Sequence, residues 1–267
     1  MDERRAVLYS FNLFNKKKTL NDTWYYDALR CSIDSIRKYN TRIPIYVYLS
    51  PRDVYADMNI DVVSTRDNIA IEYFDSLDNY YHLYKHPRFV QKGFCDVLNH
   101  KWLNAFRLVQ DKNFDRVLYI DPDTIIHQDI EQLFEIYNNT ESLYAKPVSN
   151  KHALRVSGVK GAMNDGQFLL SKSVVSKLFD NFLQDQAKWI NWFVDLTEIQ
   201  QRFWLSIQFG TYKVCEERGI PVDYFNSRHV KLGTAPLRDD CSELILHHYF
   251  ATKWETFLPH EYKSKIV

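Results

Sequence analysis

The chain opens with an apolar strand, a helix and a second apolar strand in direct succession, and this order restricts its fold more than any other feature. Residues 5–11 (RAVLYSF) are short, apolar and aromatic, which is the pattern of a buried strand. Residues 23–38 place Ala28, Leu29, Ile33 and Ile36 near helical spacing. The helix must stop before Pro44, and residues 45–49 (IYVYL) read as a second buried strand closed by Ser50-Pro51. A strand, a crossover helix and a strand of this kind imply a parallel sheet. The expectation is an α/β protein with a mostly parallel central sheet flanked by helices.

The same alternation continues downstream. Residues 68–74 form a further expected strand. Residues 96–111 carry Val97, Leu98, Trp102, Ala105, Phe106 and Val109 in a helical stripe. Residues 116–120 (RVLYI) form an apolar strand that runs directly into Asp121-Pro122-Asp123. A short helix is expected over 129–137, a strand over 167–170, and helices over 174–182 and 196–208. A closing strand over 243–246 would lead into His247-His248. With no internal repeat and no Pro/Gly-rich linker, residues 1–267 are read as one domain.

Composition removes several functional classes. Lys plus Arg and Asp plus Glu both number 34, so no excess of positive charge favours nucleic acid as the main partner. No apolar run approaches the roughly 18 residues of a membrane span. The first residues lack the pattern of a secretory signal, which points to a cytoplasmic protein. In that compartment Cys31, Cys95, Cys215 and Cys241, none at metal-ligand spacing from another, are expected as reduced thiols. Asn21 and Asn138 fit the glycan-acceptor pattern only by chance on this reading. The aromatic content of 15% fits either core filling or a cleft where rings pack on sugar C–H faces.

The acidic corner carries the chemistry. In open α/β sheets ligands bind beyond the carboxyl ends of the strands, and Asp121 and Asp123 sit at such an end. The Pro between them fixes φ and stiffens the pair. Carboxylate oxygens suit hard divalent cations, and a cation held there would bridge two phosphates of a leaving diphosphate. A bare D-x-D is common in turns, so the flanks must decide. Phosphatases that use D-x-D-x-T as a nucleophile motif are a competitor, but Thr124 comes one position too early for that pattern.

With its flanks, residues 116–131 (RVLYIDPDTIIHQDIE) resemble the metal-binding stretch of GT-A glycosyltransferases, most of all the retaining family 8 that includes glycogenin and bacterial galactosyltransferases. Asp121, Asp123, Thr124, Ile125, Ile126 and Asp129 carry that likeness. The resemblance implies a GT-A type, Rossmann-like fold with its D-x-D metal site at a strand end. It implies Mn²⁺ or Mg²⁺ as cofactor, a nucleotide-sugar donor (a UDP-sugar above all) and a glycan, protein or small-molecule acceptor. Other segments extend it in order. Residues 21–29 (NDTWYYDAL) resemble the family's first loop and helix, where Trp24, or else Tyr25 or Tyr26, would pack on the nucleotide base. Tyr9 and Asn12 stand where the first strand meets that base. Lys101, with Arg107 as rival, stands near the donor phosphates. Asn164 and Gly166, in the stretch AMNDGQFLL, resemble the strand entry beside the donor sugar, with Asp165 in place of the usual small residue. Gln200 and Gln201 stand near the reacting carbon. Residues 246–254 (LHHYFATKW) resemble the family's C-terminal motif, which implies His247 as third metal ligand, His248 as its alternate, and Lys253 as a diphosphate contact.

The implied chemistry is retaining transfer of a hexose, with Gln200, Gln201 or Asp165 stabilising the oxocarbenium-like centre. Two other classes remain to be set against it. A sugar nucleotidyltransferase would need a Gly-rich first loop, whereas residues 12–21 hold Lys16, Lys17 and Lys18 but no Gly. A non-catalytic carbohydrate-binding protein would leave the acidic corner without a purpose.

Overall fold

A computed structural model describes residues 3–12, 24–50, 68–85, 94–148, 162–196, 203–233 and 242–249. The opening strand β1 (Arg5–Asn12) is followed by α1 (Trp24–Tyr39), β2 (Ile45–Ser50), β3 (Ile69–Tyr73) and a 3-10 helix over Asp78–Leu83. Next come α2 (Phe94–Gln110), β4 (Arg116–Ile120), β5 (Thr124–Ile126), α3 (Glu131–Ile136), β6 (Leu143–Pro147) and β7 (Met163–Ser171). Helices α4 (Lys172–Leu178), α5 (Phe182–Leu196) and α6 (Phe203–Glu217) precede the short strands β8 (Val222–Tyr224), β9 (Val230–Leu232) and β10 (Leu246–His248).

Seven strands form one sheet in the order β3-β2-β1-β4-β7-β6-β8. β1 pairs in parallel with both β2 and β4, and β2 with β3. Only β7 runs against its neighbours β4 and β6, so the sheet is mixed but mostly parallel. The pleat splits β1 between two cores. Ala6 and Leu8 pack with Trp102, Phe106, Val117, Tyr119 and Phe168 under α2. Val7, Tyr9 and Phe11 pack with Leu29, Ile33, Ile36, Leu118 and Ile120 under α1. Alternate side chains of a strand face opposite sides, so both faces must be apolar when helices cover both.

α1 forms because Ala28, Leu29, Ser32, Ile33 and Ile36 bury one stripe while Asp27 and the pair Arg37–Lys38 suit its two dipole ends. Asn40 ends it, taking the amides of Arg42 and Ile43 on its Oδ1 at 3.0 and 2.8 Å. Ser35 ties the helix to β5, accepting the Ile126 amide at 2.9 Å.

Several expectations need correction. The helix expected over 196–208 coincides with α6 over 203–208 and touches α5 at its last residue, its middle lying outside the described residues; α5 and α6 pack on each other through Phe193 and Phe209. The earlier stripe of Ala187, Ile190 and Phe193 was missed because α5 follows α4 after only three residues. The helix expected over 174–182 ends at Leu178, where Asn181 adopts φ of 56° and breaks the run. The strand expected over 167–170 is longer, and β5, β6, β8 and β9 were not expected. β5, β8 and β9 are three residues each, too short to show an alternation. The closing strand begins three residues later than expected, at Leu246–His248, so that both histidines lie within it.

Candidate metal and donor site

β1 and β4 lie side by side although α1, α2, the 3-10 helix and two further strands separate them in sequence, so the direction of winding reverses between them. A crevice at the carboxyl ends of strands at such a switch point is where α/β sheets bind ligands. Asn12 ends β1 and Asp121 follows β4, which brings both to this place.

A second sheet completes the site. β10 pairs antiparallel with β5, setting His248 opposite Thr124 and His247 opposite Ile125. The Tyr249 amide donates to the Asp123 carbonyl at 2.8 Å, and Gly233 donates to the His248 carbonyl at 3.1 Å. Fixed in this way, the His248 Nε2 lies 3.1 Å from Asp123 Oδ1 and 3.7 Å from Asp121 Oδ2. One ligand atom from each of Asp121, Asp123 and His248 falls within a span of 4.8 Å, the only such cluster among the described residues. Asp123 Oδ1 is buried without an aligned hydrogen-bond donor. A buried carboxylate oxygen facing an imidazole nitrogen is an arrangement that a shared cation satisfies, and two carboxylates with one imidazole suit Mn²⁺ or Mg²⁺ in donor type.

The surroundings set the electrostatics. Burial raises the Asp121 carboxyl well above the ordinary carboxylate range, against the opposing pull of Lys101 and His248. Tyr119, two residues earlier on the same strand face, donates its hydroxyl to Asp121 Oδ1 at 2.5 Å. Burial works against a charged His248 ring, but Asp123 and Asp121 together outweigh it and its pKa is raised.

His247, expected as the third ligand, points the other way, because successive residues of a strand face opposite sides. Its Nε2 lies 2.8 Å from the Gly233 carbonyl and must donate to it, while its ring packs on Tyr249 at 3.9 Å. Burial lowers its pKa to about 4. His248, the alternate on sequence, is the imidazole that meets the acids. The C-terminal motif alone gives two adjacent histidines; the strand register separates them.

The other expected residues divide into three groups. Asn164, Asp165 and Gly166 do come to the corner, because β7 bulges just after Asn164: Ala145 pairs with Phe168, while its neighbour Lys146 pairs with Asn164, leaving Asp165 and Gly166 without partners on β6. Asn164 Oδ1 accepts the Gly166 amide at 3.0 Å and so fastens the bulge. The Gly166 carbonyl in turn accepts the Asp121 amide at 2.7 Å. A Cβ on Gly166 would lie 2.6 Å from both Asp121 Oδ2 and His248 Cε1, so the glycine makes room for the cluster itself. Lys101 is buried on α2 and pairs with Asp165 at 2.8 Å. Its rival Arg107 is exposed, lying over the Phe74 ring.

Tyr9 does not reach the crevice. β1 runs three residues beyond it, so its side chain is fully buried under α1 with its hydroxyl 2.7 Å from Ser32 Oγ. Asn12 is at the crevice, and its Oδ1 lies 3.0 Å from His100 Nδ1. Burial drives the His100 pKa down to about 3. Neither His100 nor Tyr119 was singled out on sequence. Tyr119 was within reach of that reading, since alternation puts it on the same side as Asp121. Trp24 opens α1, but its side chain, like Gln200, Gln201 and Lys253, lies outside the described residues.

A mixed sheet with an Asp-Asp-His cluster at the switch-point end of its middle strand defines a GT-A-like glycosyltransferase fold with a metal site. The Glycosyl transferase family 8 model matches residues 20–204, more than half of the chain, and the protein belongs to that family. Among solved structures, the galactosyltransferase LgtC in complex with donor and acceptor sugar analogues has a TM-score of 0.57 at 15% identity, covering 97% of this chain and 99% of that one. Mouse xyloside xylosyltransferase 1 gives 0.54 at 11% identity, covering 95% and 99%. The bifunctional glycosyltransferase WbbM gives 0.54 at 13% identity, covering 94% of this chain and 46% of that one. At such identities the likeness speaks for the fold. No curated protein sequence matches the chain. No described helix is long and apolar enough to cross a membrane.

Proposed function

We propose that this protein transfers a hexose from a UDP-sugar to an acceptor hydroxyl, with retention of configuration at the transferred carbon. The observation that carries this reading is the Asp121–Asp123–His248 cluster at the carboxyl end of β4, in a chain of glycosyl transferase family 8. A divalent cation, Mn²⁺ or Mg²⁺, would be held by these three side chains and would offset the charge that appears on the departing diphosphate. Tyr119 and the bulge at Gly166 hold Asp121 in place for that task. Asn12 ends β1 at the crevice, where family resemblance would set it against the base, and Lys101 lies near enough to the cluster to act on Asp121. Family resemblance adds Trp24 against the base, Lys253 on the diphosphate, and Gln200 or Gln201 beside the reacting carbon. The leaving phosphate oxygen takes the acceptor's proton, so positioning and fixed charge supply most of the rate.

The test is incubation with a panel of nucleotide sugars and Mn²⁺, with and without simple glycoside acceptors. The expected product is free UDP from at least one UDP-hexose, formed only with the metal present. Release of pyrophosphate from a nucleoside triphosphate, or full turnover in EDTA, would refute it. Proton NMR of the first-formed product reads the anomeric configuration and tests retention separately.

A further inference from the structure

The bulge that brings Gly166 to the acidic corner also carries Asp165, and this residue forms an unusual partnership. Lys101 Nζ lies 2.8 Å from Asp165 Oδ2, and each side chain is only 9% exposed. Lys101 is the sole partner of Asp165 among the described residues. Burying two charges is costly, and their attraction returns that cost at best in part, so a pair of this kind is poor evidence of a stabilising role. Its position gives it a different use. Lys101 Nζ sits 5.7 Å over the Tyr119 ring, the same tyrosine that holds Asp121, and its charge acts on both Asp121 and His248. Asp165 adjoins Gly166, whose carbonyl accepts the Asp121 amide and whose missing side chain leaves room for Asp121 and His248. The pair therefore borders the cation cluster on the β7 side.

A sugar linked to a diphosphate held at that cluster must lie within about one ring's width of it. A carboxylate and an ammonium fixed side by side offer a strong acceptor and a strong donor, the combination that neighbouring hydroxyls satisfy. The pair has no net charge, so it gives no compensation to a further charge brought in by the ligand. Resting on the donor-site reading above, we propose that the Lys101–Asp165 pair is the specificity-determining contact for the transferred sugar, and that it selects an uncharged, hydroxyl-rich ring over one that bears a carboxylate.

Electrostatics makes this testable in two opposite directions. Asp165→Asn leaves the lysine uncompensated, so a sugar with a carboxylate gains. Lys101→Met leaves the aspartate uncompensated, so the same sugar loses further. The measurement is the dissociation constant, by calorimetry with Mn²⁺, of UDP-glucose and UDP-galactose and of their 6-carboxylate counterparts. Taking the ratio of acid to neutral sugar on the same nucleotide cancels any contact of Lys101 with the diphosphate. In the wild-type protein the acid form should bind at least about tenfold more weakly. The ratio should fall toward unity in Asp165→Asn and rise several-fold in Lys101→Met. If either variant fails to fold, Asp165→Ser or Lys101→Gln replaces it, and the wild-type ratio already decides. A wild-type ratio within about threefold of unity, or variants that leave it unmoved or shift it in the same direction, would overturn the proposal while leaving the transferase reading intact. Absence of any metal-dependent UDP binding to the wild-type protein would overturn both.

Discussion

Replacing Gly166 with alanine adds one methyl group at the most crowded point of the site. The new Cβ would lie 2.6 Å from Asp121 Oδ2, 2.6 Å from His248 Cε1 and 3.0 Å from His248 Nδ1. Real contacts of this kind need about 3.4 Å or more, so atoms must move by most of an ångström. The imidazole is 4% exposed and cannot retreat easily, and the backbone of Gly166 is held by the Asp121 amide. The carboxylate, at the tip of a short side chain, is the group that gives way. It would then leave the position where it faces Asp123 and His248. Overpacking costs typically 1–3 kcal/mol, and about 2 kcal/mol falling on the liganded geometry corresponds to roughly thirty-fold weaker cation binding. Calorimetric titration with Mn²⁺ reads this directly, with thermal unfolding measured in parallel. Gly210→Ala is the control. Its Cβ would meet Ile190 Cγ1 at 2.7 Å and the Gln186 carbonyl at 3.1 Å, in the packing of α5 on α6 and away from the acids. That variant should lower the melting temperature without changing the cation affinity. A Gly166→Ala protein that binds Mn²⁺ as the wild type does would refute the argument.

The two histidines of β10 should behave oppositely. His248→Ala should weaken cation binding by about 10²-fold, whereas His247→Ala should leave it within a few-fold and instead lower the melting temperature, because a buried ring and its bond to Gly233 are lost. Asp123→Ala should abolish metal-dependent UDP release in the panel assay while circular dichroism stays native, and retained release would count against the cluster as the cation site. Acid should destabilise the protein through His100. Its folded pKa is lowered to about 3, so between that value and the ordinary 6.5 the unfolded chain binds the extra proton and stability falls as pH falls. At pH 5 this amounts to about 2 kcal/mol, from about 1.4 kcal/mol per pH unit. Urea unfolding at pH 7 and pH 5 should show His100→Gln losing less between the two than wild type, and an equal loss would contradict the assignment.

The sequence carried the left half of the sheet well. The strands at 5–11, 45–49 and 116–120 are apolar along most of their length, broken only by Arg5, Ser10 and Arg116, because helices cover both of their faces, and that pattern needs no partner to be read. The right half was harder. β7 runs against its neighbours and is broken by the bulge at Asn164–Gly166, so its sequence shows neither a clean run nor a clean alternation. The acidic corner was legible because both aspartates and the proline come from one short segment. The third ligand was not, since adjacent histidines differ only in which face of a three-residue strand they occupy, and a one-residue error in register exchanges them. Tyr9 was placed at the crevice by family resemblance, which carries a position along β1 but not the direction of its side chain, and that side chain is buried under α1.

The pairing of β10 with β5 also bears on how the protein is made. The acidic corner leaves the ribosome with β4 and β5, long before the strand that carries His248. During that interval nascent chains hold both aspartates and a growing share of the sheet, but not the imidazole that closes the cluster. The cluster is therefore completed late, when β10 docks through the Tyr249 amide onto the Asp123 carbonyl. A chain cut between Gly233 and Ser242 would hold every strand of the seven-stranded sheet and still lack the third side chain of the cluster. Unfinished or clipped molecules therefore lack the complete cluster because of where the histidine lies along the chain.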